Sequence, residues 1–229
     1  MRVLAIDTSC AAASVAIYDS VRHETLALET REMANGHAEA LAPMVERALR
    51  EIDGGVASIE RLAVCVGPGS FTGIRIGLAM ARAMGLALGA PVIGVSTLAA
   101  FASPLLMEAR PGVILACVDA RHGQVYLQLF EAAGRPIFAP RVAKLREAAR
   151  LIGGGPARIC GNATRAVAEE AAHAGLDVEI SAETRYPDIV AVAQLGAAVD
   201  PANAPARPLY VKPPDAQPNE GYAITRADG

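Results

Sequence analysis

The stretch RVLAIDTSCAAASVAIYD, residues 2–19, decides the fold of this chain. Its first part is a short apolar run that ends at Asp7, which predicts a buried strand. After a small polar turn, residues 13–19 alternate between apolar and polar side chains, and residues 23–32 do so again. Alternation of this kind predicts half-buried strands. We therefore expect three strands joined as hairpins, with a carboxylate at the end of the first strand.

The same pattern returns in VILACVDARHGQVYLQLF, residues 113–130. When Asp7 is aligned with Asp119, the apolar residues before each aspartate superpose as well. Two copies over a domain-sized interval predict a duplicated unit rather than a solenoid. Two such halves would enclose a cleft between their aspartate-bearing turns, an architecture shared by actin, Hsp70 and sugar kinases. The predicted fold class is α/β, a duplicated actin-like (ASKHA, ribonuclease H-like) two-domain fold.

The domain boundaries follow from this repeat. Residues 1–108 are expected to form an N-terminal actin-like domain and residues 109–200 a smaller C-terminal one. Residues 201–229 contain six prolines, which excludes a helix or a central strand and predicts an extended tail. The last dozen residues are expected to be mobile.

Helical periodicity predicts helices over 37–52, 71–88 and 97–108, alternating with strands as in a mixed α/β layer. Pro43 lies inside the first of these helices and removes a backbone donor. It is therefore expected to kink or reset that helix.

Composition excludes several classes of protein. The chain has 229 residues, 52% of them hydrophobic and 20% charged, which is typical of a globular protein rather than a disordered one. No run approaches 18 consecutive apolar residues, so we expect no membrane contact. The four cysteines never occur as CxxC, which favours buried thiols in a reducing cytoplasm. The net charge of −3 gives the whole chain little attraction for nucleic acid.

One basic segment departs from this overall charge. Residues 135–165 contain seven cations and the single acid Glu147. The cations are Arg135, Arg141, Lys144, Arg146, Arg150, Arg158 and Arg165. Two interpretations are open: a solvated surface balanced by acids elsewhere, or a patch that assists an RNA-binding partner.

The segment GPGSFTGIRIGLAMARAMGLALG, residues 67–89, has the form of a glycine loop that leads into a helix. It has no lysine for a Walker A loop, and Thr72 replaces the third glycine of a dinucleotide fingerprint. Pro68 likewise excludes a GxSxG nucleophile elbow. Ser70 and Thr72 are instead expected to cap the helix.

Glycine or alanine recurs at every fourth position of this helix, from Gly73 to Gly89. An interior glycine costs about 1 kcal/mol relative to alanine, so the pattern predicts a close backbone approach. Apolar residues point in nearly every other direction, which predicts burial on two sides. One side is expected to face its own sheet. The other is expected to face either helix 37–52 or a second polypeptide.

Five strings resemble the bacterial TsaB family throughout residues 2–212. They are VLAIDTSCAAASVAIYD, GPGSFTGIRIGLAMARAMGLA, PVIGVSTL, DARHGQVY and PLYVK. The resemblance implies a role in forming threonylcarbamoyladenosine on ANN-decoding tRNAs, as the non-catalytic partner of the catalytic subunit TsaD. It also implies a TsaE-type ATPase as third component and at most indirect or weak contact with tRNA. A chain that exposes the apolar side of helix 71–88 is expected to self-associate, so we expect a homodimer when the partner is absent.

The same resemblance implies that the N-terminal helices form the interface with TsaD. The interface residues it implies are His37, Leu41, Val45, Gly73, Arg75, Ile76, Gly77, Met80, Ala81 and Met84.

The resemblance further implies that the ligand sites of the catalytic relative are vestigial. Thr97 and Phe101 occupy the positions of its two metal-binding histidines, and phenylalanine cannot coordinate a metal. Its glycine-rich second turn corresponds here to a turn that begins with Asp119. Asp7, Thr8, Ser9 and Asp119 are thus interpreted as vestigial phosphate-loop positions. No catalytic residue, metal or cofactor is expected.

Two enzymatic functions stand as alternatives. A peptidase, in line with the glycoprotease (M22-like) label of some relatives, would need a metal or an activated nucleophile. His37 has Leu41 one turn later rather than a second histidine, which does not favour a metal pair. An ATP-using kinase or ATPase would need a working phosphate cleft between the domains.

Overall fold

A computed structural model of the chain describes residues 1–212 and contains two five-stranded sheets. The first sheet has the strand order β3-β2-β1-β4-β5. Its strands are β1 (Arg2–Cys10), β2 (Ala12–Asp19), β3 (Glu24–Glu32), β4 (Arg61–Gly67) and β5 (Val92–Ser96). The predicted hairpins are confirmed, with Asp7 opposite Ser14 in the antiparallel β1–β2 pair.

The second sheet repeats this topology, with the order β10-β9-β6-β7-β8. Its strands are β6 (Val113–Asp119), β7 (Gln124–Glu131), β8 (Arg141–Lys144), β9 (Ala157–Gly161) and β10 (Glu179–Glu183). In both sheets the first strand lies centrally, antiparallel to the second and parallel to the fourth. The predicted duplicated, actin-like α/β fold is therefore confirmed.

Six α-helices cover the two sheets in the part of the chain that the structure describes. They are α1 (His37–Arg50), α2 (Phe71–Leu88), α3 (Thr97–Met107), α4 (Leu145–Arg150), α5 (Thr164–His173) and α6 (Ile189–Ala198). Helices α1 and α2 pack on the outer face of the first sheet, and α4 and α5 pack on the outer face of the second. α1 runs without interruption through Pro43, which corrects the expected reset of this helix.

Helices α3 and α6 each pack mainly on the sheet formed by the other half of the chain. α3 comes from the first half but packs on β6, β7 and β9, whereas α6 comes from the second half and packs on β1, β2 and β4. Ile189 and Val192 of α6 fill the inner core of the first sheet, although they belong to the expected C-terminal domain, and the division at residues 108 and 200 stays a prediction. A Cβ atom at Gly196 would collide with Ala63, so α6 lies directly against β4.

The glycines of α2 face the protein's own sheet. A Cβ atom at Gly73 would collide with the Thr8 carbonyl, and one at Gly77 would lie 2.7 Å from Thr8 Oγ1. A Cβ atom at Gly85 would collide with Val92. The expected close backbone approach therefore exists, but it is made with β1 and β5 of the same chain. The two-sided burial expected for α2 is wrong for the chain alone, since Leu86 is 88% exposed.

The tail begins with a 3-10 turn over Pro201–Asn203, which corrects the expectation that no part of it is helical. A proline at the start of a helical turn lacks only a donor that has no partner there in any case. The chain then runs extended along β5, where Ile93 pairs with Pro205. It then passes the end of β4, where the Leu209 N–H donates to the Val66 carbonyl at 2.8 Å. The tail end expected to be mobile lies outside the described residues.

The contact between α2 and β1 can be tested by substitution on its two sides. We expect Gly73→Ala to lower the free energy of unfolding by about 1–3 kcal/mol despite its better helix propensity, because the helix must move off the sheet. Ala79→Leu, at an exposed position of the same helix, is expected to stay within about 0.5 kcal/mol of the original chain. Urea unfolding of both variants measures the difference. Equal stability of the two variants would contradict the packing described for Gly73.

Candidate functional site

The first candidate site is the turn at the end of β1, where Asp7 is fully buried. Its Oδ1 accepts a 2.9 Å hydrogen bond from the Ser9 N–H, and its Oδ2 has no partner among the described residues. Burial raises the pKa of the Asp7 carboxyl and so favours the neutral acid.

The polar groups of this turn are used by the loop that leads into α2. The Ser70 N–H donates to the Ser9 carbonyl at 2.7 Å, and Thr8 Oγ1 donates to the Gly73 carbonyl at 2.7 Å. Gly69 lies so close that a Cβ atom there would collide with the Ser9 carbonyl. The glycine loop thus packs against the turn of β1 and leaves no space between them for a phosphate. Ser70 is a helix cap as predicted, because its Oγ accepts from the Gly73 N–H.

The residues at the positions of the metal-binding histidines are also buried. Thr97 Oγ1 donates to Ser9 Oγ at 3.1 Å, and Phe101 packs in the core between α3 and the second sheet. His37, expected at the start of α1, points inward and donates from Nε2 to the Cys10 carbonyl at 3.3 Å. Within residues 1–212, no three His, Cys, Asp or Glu side chains are grouped as metal ligands.

The second turn, at the end of β6, differs from the first because it is exposed. Asp119 Oδ1 accepts from the Arg121 N–H at 2.8 Å, and the Asp119 N–H donates to Asn162 Oδ1 at 2.8 Å. Arg121 and His122 follow in the left-handed region, at φ 63° and 52°. The two aspartates that align in the sequence are therefore in opposite environments.

A cleft of about 480 Å³ lies between the two halves of the chain, as predicted. Asp119 lines the cleft, whereas Asp7 is buried away from it. The expectation that both aspartate-bearing turns present a carboxylate to the cleft is therefore wrong for Asp7. The other polar walls of the cleft come from Ser9, Ser70 and Asn162, and Leu209–Lys212 of the tail form one side. Sequence reasoning missed Asn162 and the tail, although PLYVK was among the strings that carried the resemblance.

The second candidate site is the outer surface of α1 and α2. Six of the ten interface residues implied by the resemblance are buried in the chain alone, and their contact with a partner stays a prediction. They are His37, Leu41, Val45, Gly73, Gly77 and Ala81. Ile76, Met80 and Met84 lie half-buried toward the outside of α2 and stay a prediction.

Arg75, the tenth implied residue, is held by the tail. Its Nε donates to Tyr210 Oη at 3.0 Å, and its guanidinium lies 3.8 Å from the centre of the Phe71 ring. Arg82, two turns later, donates to the Ala206 carbonyl. The two arginines of α2 therefore fix the tail along one edge of the helix.

The remaining outer surface of α2 is apolar and open. Its exposed residues are Ala79, Ala83, Leu86 and Ala87, next to the half-buried Met80 and Met84. Sequence reasoning did not name these four exposed residues, although their spacing of three and four places them on one side of the helix. By length and composition α2 could cross a membrane, but its glycine side packs on β1 and β4 as in a core helix.

The sequence of this chain is similar to a described protein family and to a relative from Escherichia coli. Residues 29–202 match the family model described as "TsaD: tRNA N6-adenosine threonylcarbamoyltransferase". The tRNA threonylcarbamoyladenosine biosynthesis protein TsaB of Escherichia coli is 43% identical over 129 residues, which cover 55% of this chain. The matched part spans about half of that protein, 53% of its length.

Two further similarities extend over nearly the whole chain. An uncharacterized protein of Mycobacterium tuberculosis is 37% identical over 220 residues, 94% of both chains. The solved structure of YeaZ from Pseudomonas aeruginosa superposes with a TM-score of 0.73 at 25% identity, covering 91% of this chain and 99% of that one. The family match, the duplicated topology and the GPGSFTG loop that packs on the first turn agree with one another. This chain belongs to the TsaB family.

Proposed function

We propose that this chain is a non-catalytic subunit that binds a TsaD-type transferase and supports the formation of threonylcarbamoyladenosine on tRNA. The observation that carries the proposal is the open apolar surface of α2. The family's association with this modification supplies the partner class. The proposed setting is the cytoplasm, with a TsaE-type ATPase as a further component and a homodimer when the partner is absent.

The first turn supports a non-catalytic role. Asp7 is enclosed, the Thr8 hydroxyl donates to the Gly73 carbonyl, and the Ser9 carbonyl accepts from the Ser70 N–H. A phosphate or metal at this turn would require the loop at Gly69 to move away. We therefore assign no catalytic function to Asp7, Thr8, Ser9 or Asp119.

The cysteines also give no support for a peptidase. All four are free and buried, and burial raises the pKa of the Cys10 and Cys65 thiols. The thiolate is the nucleophilic form of cysteine, so a raised pKa opposes catalysis near neutral pH. Ser70 caps α2 and has no histidine among its hydrogen-bond partners in the described part of the chain.

The outer surface of α2 has the features of a helix-packing site. Small residues at 79, 83 and 87 allow another helix to approach closely, and Met80 and Met84 supply deformable apolar surface beside them. Glycines on the opposite side hold α2 against its sheet. The helix can therefore present its outer residues on a fixed backbone, which lowers the entropic cost of association.

Association through α2 can be tested by placing carboxylates on its outer side. The double variant Ala79→Glu and Ala83→Glu is expected to fold normally, because both alanines are exposed in the chain alone. Its affinity for a TsaD-type subunit should fall by about 100-fold or more, since two carboxylates would lose water without gaining partners. Isothermal titration calorimetry and size-exclusion chromatography measure this loss.

A matched control places two carboxylates elsewhere. Val21 and Met107 are 76% and 79% exposed and lie outside α2, so Val21→Glu with Met107→Glu should leave association unchanged. Full binding by the α2 variant would rule out this surface as the contact. The same size-exclusion runs without the partner report whether the chain forms a homodimer.

The burial of Asp7 predicts a pH dependence of stability. Its folded pKa is raised, so the unfolded chain ionises at lower pH than the folded chain does. The wild-type chain should therefore lose stability as pH rises above about 4, the ordinary pKa of aspartate. Asp7→Asn cannot ionise at this position, so it should remove the pH-dependent loss of stability that Asp7 causes. Its amide oxygen can still accept from the Ser9 N–H.

Urea unfolding from pH 4 to pH 8 measures this difference. The stability of Asp7→Asn relative to wild type should increase across the range. A difference that stays constant with pH, or one that favours the wild type increasingly at high pH, would show that Asp7 is ionised in the folded chain and available to bind a cation.

A further inference from the structure

The basic segment of the second half separates into paired and unpaired cations. Three of its seven cations form ion pairs with carboxylates, two of them in the second half of the chain and one directly after α3. These pairs are Arg135 with Glu131, Arg158 with Glu108 at 2.8 Å, and Arg165 with Glu183 at 3.0 Å. Arg141 instead stacks over the Phe138 ring at 4.1 Å. The three paired arginines and the stacked Arg141 therefore already have partners within the chain.

The other three cations, Lys144, Arg146 and Arg150, are exposed. Within residues 1–212, none of them has a carboxylate at ion-pair distance. Arg146 and Arg150 are four residues apart on α4 and therefore share one side of it. The opposite side is buried, since Ala148 and Ala149 pack on the second sheet.

The fold brings the turn between β6 and β7 to the same place. Lys144 lies opposite Gln124 in the β7–β8 pair, and the Leu145 N–H donates to the Gly123 carbonyl at 3.2 Å. Arg121 and His122 of this turn are exposed, and Arg121 lines the cleft. We call the cluster of Arg121, His122, Lys144, Arg146 and Arg150 the basic rim. The acids beside it are Glu147 on α4 and Asp119, which accepts from the Arg121 N–H.

The tight turn between β6 and β7 presents Arg121 and His122 to the solvent. Both residues adopt left-handed φ values, 63° and 52°, and the Gln124 N–H closes the turn on the Arg121 carbonyl at 3.0 Å. Positive φ values are what a tight hairpin turn requires of its residues. Both side chains point away from the core and contact no described acid.

A structural explanation accounts for only part of the rim. Charged residues on an edge strand hinder unwanted pairing with other sheets, and Lys144 lies on the edge strand β8. Arg121 lies in a turn, and Arg146 and Arg150 lie on a helix, where no strand edge needs protection. Four Lys or Arg residues that have no acid partner in the described part of the chain lie on one surface of an acidic chain, which favours a polyanionic partner.

We propose that the basic rim binds the phosphate backbone of RNA, so that this chain contributes directly to holding tRNA. The identification of the RNA as tRNA rests on the function proposed above. Exposed lysine and arginine side chains follow phosphates without reading bases, so the contact adds affinity and orientation rather than sequence specificity. The proposal goes beyond the expected indirect or weak contact with tRNA, because the basic rim gives that contact named residues.

The test compares two triple variants of the full chain. Arg121→Ala, Lys144→Ala and Arg146→Ala together remove the centre of the rim. Arg22→Ala, Arg31→Ala and Arg207→Ala together remove the same charge from exposed positions elsewhere. Fluorescence anisotropy with labelled tRNA, at about 50 to 200 mM salt, gives the affinity and its salt dependence for the chain alone and for its mixture with a TsaD-type subunit.

The rim variant is expected to bind tRNA about 10-fold or more weakly at the lowest salt. The slope of log affinity against log salt should become shallower by about 2 to 3, since each lost phosphate contact removes about one unit. The control variant should change the affinity less than about 2-fold. A duplex DNA of similar length should lose affinity in parallel, because the rim reads no bases.

Three results would overturn the proposal. The first is an equal loss of tRNA affinity in the two triple variants, and the second is an unchanged salt slope in the rim variant. The third is the absence of salt-dependent tRNA binding by the wild-type chain, both alone and mixed with the transferase subunit. If the rim variant instead loses its association with the transferase subunit, the rim is a protein contact and not an RNA contact. Failure of the proposed function is distinct, because it appears as absent co-elution of the wild-type chain with the transferase.

Discussion

The contact between α2 and the turn of β1 determines most of what this molecule presents to its surroundings. Gly73 lies against the Thr8 carbonyl, and Thr8 Oγ1 donates back to the Gly73 carbonyl. A side chain at position 73 would separate the helix from the sheet. Because this contact is made between two backbones, it fixes both the position of α2 and the direction in which its outer residues point. It also closes the turn that would otherwise face the cleft.

The two halves of the duplication have diverged around their first turns. In the first half the carboxyl of the turn is buried, the Thr8 hydroxyl donates to the Gly73 carbonyl, and the Ser9 hydroxyl accepts from Thr97 at the start of α3. In the second half the corresponding turn is exposed, and cationic side chains follow the aspartate. The first half thus exposes an apolar helix and the second half exposes charge. Duplication of one topology has produced two surfaces of opposite character, one suited to a protein and one to a polyanion.

Local pattern predicted the strands and helices up to residue 130 but not those over residues 141–198, and distant contacts explain much of what it could not predict. The apolar runs that end at Asp7 and Asp119 identified both hairpins, because alternation is a property of neighbouring residues. The burial of Asp7 could not be seen there, since it depends on residues distant in the sequence, such as His37 and Cys65, which lie beside its carboxyl. The four-residue spacing of glycines predicted a close approach correctly, but spacing does not identify the partner, which is the chain's own sheet. The position of α6 was missed for the same reason: its apolar sequence indicates burial without indicating which sheet it covers.

The exchange of α3 and α6 between the halves has a consequence for how the chain is made. β1, β2 and β4 are complete once residue 67 has been synthesised, but α6, which covers their inner face, ends at residue 198. Until that helix leaves the ribosome, Ala5, Ala63 and Cys65 lack the cover they have in the finished protein. The nascent first half therefore carries an open apolar sheet during most of translation, the condition in which folding intermediates aggregate and chaperones bind.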